Sequence, residues 1–304
     1  MAETAVAKQA SAVYFRPEFE NPSVGTAAVG EVERRLTLYE RISNVEPVRK
    51  FTVLLAVIVA WELYTRISAV PELIFPTFTT TAIAFIHAVT DDGLLINVWN
   101  SISVLLTGYA LGIAIAAALV ILSVATRFGS DLLTTLTAML NPLPAIALLP
   151  MAMIWFGLGT WAIIFTLLHS IVWPVALNTH SGFQSVSETL RMVGRNYGLR
   201  GIPFILKLLI PAAFPSILTG LKIGWAFAWR TLIAAELVFG GSVMDTSGGN
   251  SGGLGWMIFQ NQMNMRISYV FAGLFTVILV GVIMESIIFR AIEERTVRKW
   301  GMQQ

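Results

Sequence analysis

Long runs of apolar residues alternate with short polar segments along most of this chain. An α-helix needs about 20 apolar residues to cross the hydrocarbon core of a bilayer, and each run approaches or exceeds that length. The pattern predicts an all-α polytopic membrane protein with six transmembrane helices, at about Phe51–Ile67, Val98–Val124, Leu132–Phe156, Trp161–Leu177, Pro215–Phe239 and Val270–Ile292.

The positions of the basic residues predict the orientation of these spans. Of the 20 lysine and arginine residues, 16 fall on the side that both termini share, whereas Arg66 and Arg266 fall on the other side. Cytoplasmic loops of membrane proteins carry the excess of positive charge. We therefore expect both the N- and the C-terminus in the cytoplasm.

Composition agrees with a membrane protein and excludes several other classes. Only 12% of the residues are charged, about half the fraction usual in soluble domains, and the mean hydropathy is +0.72. The chain has no cysteine, which excludes disulfides, thiolate metal sites and cysteine nucleophiles. The pI near 9.0 reflects the loop charges that set orientation and does not indicate nucleic-acid binding.

The predicted domain organisation is simple. Residues 1–50 form a cytoplasmic tail that is polar over residues 1–29, with no signal peptide. Within it, Val32, Leu36, Tyr39 and Ile42 recur at helical intervals, so an amphipathic helix is expected on the inner membrane face, against a partner or against the protein itself. Residues 51–292 form the membrane domain, and residues 293–304 form a cytoplasmic C-terminal tail.

One polar segment between the fourth and fifth spans is too charged to lie in hydrocarbon. Each central charge would cost about 2.5–3.5 kcal/mol there, so the segment must project into water. Glu188–Gly198 is predicted to be a short polar helix, and Gly201 and Pro203 separate it from an apolar helix that begins near Phe204. An ordinary positively charged loop is the alternative.

The same segment resembles the cytoplasmic coupling loop, here 183–207, of the membrane subunits of bacterial ATP-binding-cassette (ABC) importers. In that family a Glu-Ala-Ala triplet is followed by a glycine and later by Leu-Pro; Gly198 and Ile210-Pro211 match the last two features. Met192-Val193-Gly194 replace the triplet, and Glu188 lies one turn earlier. The resemblance implies that the residues contacting or positioning an ATPase are Glu188, Arg191, Met192, Val193, Gly194, Arg195, Asn196, Tyr197, Gly198 and Pro211.

Three prolines interrupt the third span. Pro142, Pro144 and Pro150 remove backbone hydrogen bonds, which is tolerated in a membrane only where the freed carbonyls face protein or a water-filled cavity. The run from these prolines to Trp155-Phe156-Gly157 is similar to one in the nitrate, sulfonate and taurine branch of the importers. We expect Pro142, Pro144 and Met151 to line the translocation path; a kinked packing helix is the alternative.

The fifth span carries three ionisable residues, Lys222, Arg230 and Glu236. At 100° per residue they fall within an arc of about 120°, in the same sector as Trp225 and Trp229. Arg230 lies nearest the middle of the span, and its guanidinium suits carboxylate, nitrate or sulfonate oxygens. Trp225, Trp229, Arg230 and Glu236 are therefore predicted to line the path. Alternatively, Lys222 snorkels to the cytoplasmic face and Arg230 pairs with Glu236 or Glu62.

Two pairs of glycines indicate close helix packing. Gly108 and Gly112 in the second span, and Gly220 and Gly224 in the fifth, recur at four-residue spacing. The sequence leaves open whether each pair meets its own chain or a second subunit.

At the end of the first span, Glu62 and Arg66 form a predicted i,i+4 ion pair.

No catalytic or metal site is expected, so the chain is predicted not to be an enzyme. The Gly- and Ser-rich stretch 247–256 lacks the Lys-Ser/Thr ending of a phosphate loop, and we interpret it as an external rim that a solute-binding protein could contact. His87, His169 and His180 are scattered, with no second histidine or carboxylate expected at ligand spacing.

The resemblance implies a type I ABC importer permease fold and a particular set of partners. These are a second copy of the permease, two ATPase subunits that bind ATP-Mg, and a periplasmic or lipoprotein solute-binding protein, assembled at the bacterial inner membrane. It also implies a small anionic solute that resembles nitrate, a sulfonate, taurine or an organic carboxylate.

Two other functional classes remain as alternatives. An ion-coupled secondary transporter tends to show duplicated halves, which the chain lacks. A membrane interaction protein that transports nothing would need neither prolines nor charges within its spans.

Overall fold

The computed structural model describes residues 45–68, 70–239 and 252–298. The predicted tail 1–29, the amphipathic segment at residues 32–42 and the glycine-rich positions 247–251 lie outside these ranges. The described elements are α1 Glu46–Ile67, α2 Phe78–Thr90, α3 Leu94–Ala125, α4 Arg127–Leu140, α5 Leu149–Phe156, α6 Thr160–Ser185, α7 Glu188–Asn196, α8 Ile202–Ala212, α9 Phe214–Phe239, α10 Leu254–Met263 and α11 Ile267–Val297.

Three of the described helices, α3, α6 and α11, are long and apolar enough to cross a membrane. Two further spans result if each bent helix pair, α4 with residues 145–156 and α8 with α9, counts as one. The all-helical, polytopic class predicted from the apolar runs is confirmed. The last span continues in helical geometry to Arg298, beyond its predicted end at Ile292.

The chain divides into two compact units after Val57, inside α1. In the first unit, Lys50 and Glu46 form an exposed ion pair of 2.6 Å. In the second, the predicted pair of Arg66 and Glu62 is confirmed, with a distance of 2.6 Å between Nη2 and Oε1. Glu62 also accepts hydrogen bonds from the backbone and hydroxyl of Thr79, which joins the end of α1 to the start of α2.

The core of the second unit is built around α6, which packs against α3 and α9. Gly108 and Gly112 of α3 lie against Leu167 and Ile171 of α6, two fully buried side chains. A Cβ atom on Gly112 would lie only 2.7 Å from Cγ2 of Ile171. The small residues therefore let α3 approach α6 within the same chain.

The second glycine pair packs α9 against α6, nearer the C-terminal end of α6. Gly220 and Gly224 of α9 lie against Asn178 and Val175, so that a Cβ atom on Gly220 would come within 2.8 Å of the Asn178 Cβ. Both predicted stripes thus meet the same central helix of their own chain.

The third predicted span is broken rather than kinked. The helix ends at Leu140, and the chain resumes in a 3₁₀ turn, Ala145–Leu148, that leads into α5; the two parts are bent by 90°. Pro142 and Pro144 lie in the break. Pro150 lies in the first turn of α5, where a missing N–H disrupts no helical hydrogen bond, so the prediction that Pro150 removes one was wrong.

Candidate functional site

The polar segment after α6 forms the short helix that the sequence predicts. Ser187 caps its start, since the Ser187 hydroxyl accepts a hydrogen bond of 3.4 Å from the Leu190 N–H. Glu188 follows in the first turn, where a carboxylate faces the positive end of the helix dipole. The apolar helix predicted near Phe204 is also present and begins at Ile202.

Gly198 ends α7 through a Schellman arrangement. Its φ is +78°, its N–H donates to the Arg195 carbonyl at 2.9 Å, and the next N–H, of Leu199, donates to the Gly194 carbonyl at 3.0 Å. A residue with a Cβ atom is strained in this left-handed conformation. The glycine is therefore required by the backbone path.

Two contacts fix α7 to the neighbouring helices. The Arg191 guanidinium donates to the carbonyls of Phe183 and Val186 at the end of α6, where the negative end of the helix dipole favours a cation. Gly194 is buried, and a Cβ atom there would collide with Leu208 of α8. Helix α7 is therefore in contact with both α6 and α8.

The other side of α7 is open and carries apolar side chains. Tyr197 is 83% exposed, and Leu190, Met192, Val193 and Arg195 are also exposed. An apolar and basic surface on so short a helix is suited to contact with another protein.

Pro211 lies in α8, just after a π-helical turn, Ile205–Leu209. The Ile210 N–H reaches back five residues to the Ile205 carbonyl, and Pro211 itself has no N–H to donate. After a bend of 78°, the chain continues as α9. Pro211 therefore helps to shape the joint between α8 and α9.

A cavity of about 400 Å³ lies where the broken third span meets α6 and α9. Its apolar wall comes from the break, from α6 and from α9, and consists of Pro142, Leu143, Pro144, Ala145, Ile146, Trp173, Pro174, Phe227 and Ala234. Its polar groups are Asn141, His169, Ser170, Arg230 and Thr231. The prolines thus lie on the cavity wall.

Arg230 supplies the charge of this cavity. Its side chain is exposed, and it forms no ion pair or hydrogen bond with any residue that the structure describes. The alternative interpretation, in which Arg230 pairs with Glu236 or Glu62, is therefore wrong for the residues that the structure describes. None of the lining residues is acidic.

The remaining polar groups of the cavity are neutral. The Trp173 N–H donates to Nδ1 of His169 at 3.1 Å, so that nitrogen carries no proton. The proton is then on Nε2, which lies 3.1 Å from the Leu143 carbonyl and donates to it. The hydroxyls of Ser170 and Thr231 bond to each other at 2.9 Å. The cavity can hold a single negative charge beside a largely apolar surface.

The other residues predicted for the path lie elsewhere. Trp225 and Trp229 are each 6% exposed; Trp225 packs edge-on against Tyr109, and the Trp229 N–H lies 3.3 Å from the Val277 carbonyl. Met151 is exposed on α5 but does not line the cavity. Lys222 forms an ion pair with Glu293 of α11.

Glu236 is buried on the far side of α9 from the cavity. Both of its carboxylate oxygens accept from the Ser101 hydroxyl, at 2.8 and 2.9 Å, and one of them accepts from the Gly255 N–H at 2.7 Å. No spacing rule links Ser101 to Glu236, because they are 135 positions apart, so Ser101 was not among the predicted residues. The i,i+4 spacing of His169 and Trp173 could have indicated their pairing, which was also not predicted.

One prediction about the histidines was wrong. Asp91 lies one turn after His87, and its Oδ2 is 3.0 Å from the His87 Nδ1, so one histidine does have a carboxylate at helical spacing. This hydrogen bond lowers the pKa of Asp91. Within the described ranges there is no group of three or more histidine, cysteine or acidic residues that could hold a metal.

Comparison with known proteins identifies the family. Residues 108–298 match the model of the binding-protein-dependent transport system inner membrane component. A Methanocaldococcus jannaschii protein named as an ABC transporter permease is 31% identical over 249 residues, which cover 81% of this chain and 90% of that protein.

Two further relatives carry more specific names. A nitrate import permease protein of Synechocystis sp. is 30% identical and covers 66% of this chain and 69% of its own length. An Escherichia coli protein named as an aliphatic sulfonates transport permease is 32% identical and covers 60% and 67% respectively. The chain therefore belongs to the family of binding-protein-dependent transport system inner membrane components, and it is an ABC importer permease.

Proposed function

We propose that this chain is the membrane subunit of an ATP-driven importer that moves a small organic anion by alternating access. The observation that carries the proposal is the cavity with one unpaired guanidinium, that of Arg230, bounded by the two helices α6 and α9. One of them, α6, runs directly into α7, and α8 links α7 to the other, α9.

The mechanism follows from those connections. In each half of the transporter α7 docks on an ATPase subunit through its exposed face, with Glu188, Met192, Val193, Arg195, Asn196 and Tyr197 available for contact. Arg191 transmits the movement of α7 to α6, and the Gly194–Leu208 contact transmits it to α8. Because α6 and α9 line the cavity, closure of the ATPases changes the side to which the cavity opens.

The energy for this switch comes from outside the chain. Moving a two-state equilibrium from 1:99 to 99:1 requires about 5.5 kcal/mol of differential binding. ATP binding by the partners and docking of a loaded solute-binding protein supply it together. The chain itself catalyses no reaction and needs no cofactor, while ATP-Mg binds to the ATPase subunits.

The proposed assembly contains two copies of this chain, two ATPase subunits and one solute-binding protein in a bacterial inner membrane. Six spans are proposed, with α1 as the first and with both termini in the cytoplasm. Residues 1–50 and 293–304 form the cytoplasmic tails of a membrane domain over residues 51–292. On this orientation α7 faces the cytoplasm, where the ATPases lie.

The cavity favours one class of solute among those in the names of the relatives. Arg230 can bind a single carboxylate or sulfonate in bidentate fashion, and His169 adds no second charge. Nine of the fourteen lining residues are apolar, and a cavity of about 400 Å³ is far larger than nitrate requires. An aliphatic sulfonate or small organic carboxylate therefore fits better than nitrate.

The experiment that tests this function is uptake by the complete importer in proteoliposomes. We expect uptake of a short alkanesulfonate that requires ATP and the solute-binding protein, and that stops when the ATPase subunits bind but cannot hydrolyse ATP. Uptake that persists without hydrolysis and follows an ion gradient would instead identify a secondary transporter.

The role of Arg230 is tested in the same assay. Arg230→Ala should abolish uptake, because the solute loses its charged hydrogen-bond partner, and Arg230→Lys should restore only part of it. Arg127→Ala removes an exposed cation at the start of α4, away from the cavity, and should leave uptake unchanged. Normal uptake by the Arg230→Ala variant would show that the cavity is not part of the translocation path.

A further inference from the structure

The start of α10 is capped by side chains from two other helices. The first turn of any helix has backbone N–H groups without partners inside that helix. In α10 the Leu254 N–H donates to the Ser101 hydroxyl of α3 at 2.7 Å, and the Gly255 N–H donates to the Glu236 carboxylate of α9 at 2.7 Å. The Ser101 hydroxyl in turn donates to that carboxylate, so the three helices share one hydrogen-bond cluster.

The glycines beside this cluster leave room for the carboxylate. A Cβ atom on Gly255 would lie 2.6 Å from the Glu236 Cβ and 2.8 Å from the Ile233 carbonyl oxygen, and one on Gly253 would collide with the carboxylate itself. Asn100, beside Ser101, adds a hydrogen bond of 3.3 Å to the Gly252 carbonyl. The close approach of α10 to α9 therefore depends on small residues at both positions.

The burial of Glu236 is unusual for an ionisable side chain. The residue is 3% exposed, and its carboxylate forms no ion pair with a described cation. The stabilising groups are the hydroxyl of Ser101, the N–H of Gly255 and the positive end of the α10 dipole. A buried carboxylate satisfied in this way ties the position of α10 to that of α9.

Glu236 also lies close to the cavity along the same helix. Six residues separate it from Arg230, a rise of about 9 Å, and the two side chains point about 120° apart around α9. One rigid stretch of α9 therefore presents a cation to the cavity and a carboxylate to the start of α10. A change in the cavity that shifts α9 would carry α10 with it.

We propose that Glu236 and Ser101 form a latch, that is, a hydrogen-bonded connection that makes α10 move as one body with α9. The position of α10, in the segment after the fifth span, then depends on the conformation of the helices around the cavity. Glu236 is then a positioning residue and does not touch the solute. Given the proposed orientation, α10 lies on the side where the solute-binding protein docks. The latch would couple docking of that protein to the position of Arg230, a step that rests on the proposed function.

The first test measures ATP hydrolysis by the complete importer in proteoliposomes. Glu236→Gln places an amide N–H₂ group where only acceptors are needed, and Gly255→Ala displaces α10. Both should leave basal hydrolysis intact but remove its stimulation by the loaded solute-binding protein. Glu285→Gln and Gly281→Ala are matched controls at an exposed glutamate and an uncrowded glycine, and both should behave as wild type.

The second test measures the latch directly and does not depend on ATPase activity. Because the chain has no cysteine, nitroxide labels can be placed on Val238→Cys of α9 and Met263→Cys of α10, two exposed positions. We expect one narrow distance distribution that stays the same with and without ATP. Glu236→Gln should increase about tenfold the population in which α10 is detached from α9. A change of this size lies within the range expected when a buried hydrogen-bond donor is left without an acceptor.

The outcomes separate the latch from the proposed function. Stimulation that survives Glu236→Gln, or a distance that changes between nucleotide states in the otherwise unmodified chain, would overturn the latch. Absence of ATP-driven uptake with a narrow, Glu236-dependent distance would overturn the function and keep the latch. If Glu236→Gln does not insert, Ser101→Ala, which removes one hydroxyl, must give the same broadening.

Discussion

Gly198 is a residue whose importance comes from its backbone. The chain reverses there from α7 towards α8, and the φ of +78° lets two successive N–H groups reach the last carbonyls of α7. The glycine of the coupling-loop pattern thus has a physical explanation that involves no side-chain contact. The same turn sets the direction in which the neighbouring Tyr197 projects.

We expect Gly198→Ser to be harmful where Gly159→Ser is not. A serine at Gly198 must adopt left-handed geometry, at a cost of about 1–2 kcal/mol in the free energy of unfolding. Gly159 has a φ of −170° and open space, and it is the N-cap of α6, a position that favours serine. Thermal unfolding of the two purified variants in detergent checks this; equal stability would mean that the turn at Gly198 tolerates side chains.

Part of the arrangement of side chains on the fifth span follows from its sequence alone. The helical wheel places Arg230 about 140° from Trp225, too far apart for one narrow face, although both were predicted to line the path. The pattern could not tell which face meets the protein core, because both faces carry apolar residues. Partners such as Ser101 and Val277 come from distant helices, so only the tertiary structure shows what Glu236 and Trp229 contact.

At the scale of elements, the broken third span forms one wall of the cavity. The positions of Pro142 and Pro144 predicted a disruption of the helix. The 90° bend, however, depends on how residues 141–148 pack against α6. The short helix α7 was predicted closely, since its charges, cap and glycines are all local signals. Local chemistry thus fixes where elements end, and packing decides how they are arranged.

Close packing of α3 on α6 should make Gly112 intolerant of even a methyl group. In Gly112→Ala the added Cβ would lie 2.7 and 2.9 Å from two atoms of Ile171, and overpacking of this kind costs about 1–3 kcal/mol. Gly281→Ala is the control, because its nearest neighbour is 3.7 Å away. Unfolding midpoints of the two variants in detergent measure the difference; equal midpoints would show that α3 can shift away from α6.

At the scale of the whole molecule, the described contacts connect the helices from α7 to α10. The exposed helix α7 is tied to α6 and α8, the cavity lies between α6 and α9, and Glu236 ties α9 to α10. The charge asymmetry of the sequence predicts which end faces the cytoplasm. Subunit number and partner identity involve other chains, so neither follows from this one.

The predicted orientation places Tyr197 and Met265 on opposite sides of the membrane. Both side chains are well exposed, and a cysteine-free background allows single substitutions. A membrane-impermeant maleimide added to intact spheroplasts should label Met265→Cys, whereas Tyr197→Cys should react only after permeabilisation. The reverse pattern would invert the topology and place α7 away from the ATPases.

The central claim is that α7 is the contact through which separate ATPase subunits drive this chain. The most direct measurement is short-range cross-linking of Tyr197→Cys in the assembled importer, with Met265→Cys as the control from the other end of the bundle. The account predicts that position 197 cross-links to an ATPase subunit and that the linked complex loses ATP-driven uptake. An importer that takes up solute with ATP but forms no ATPase cross-link at position 197, at any cross-linker length, would contradict it.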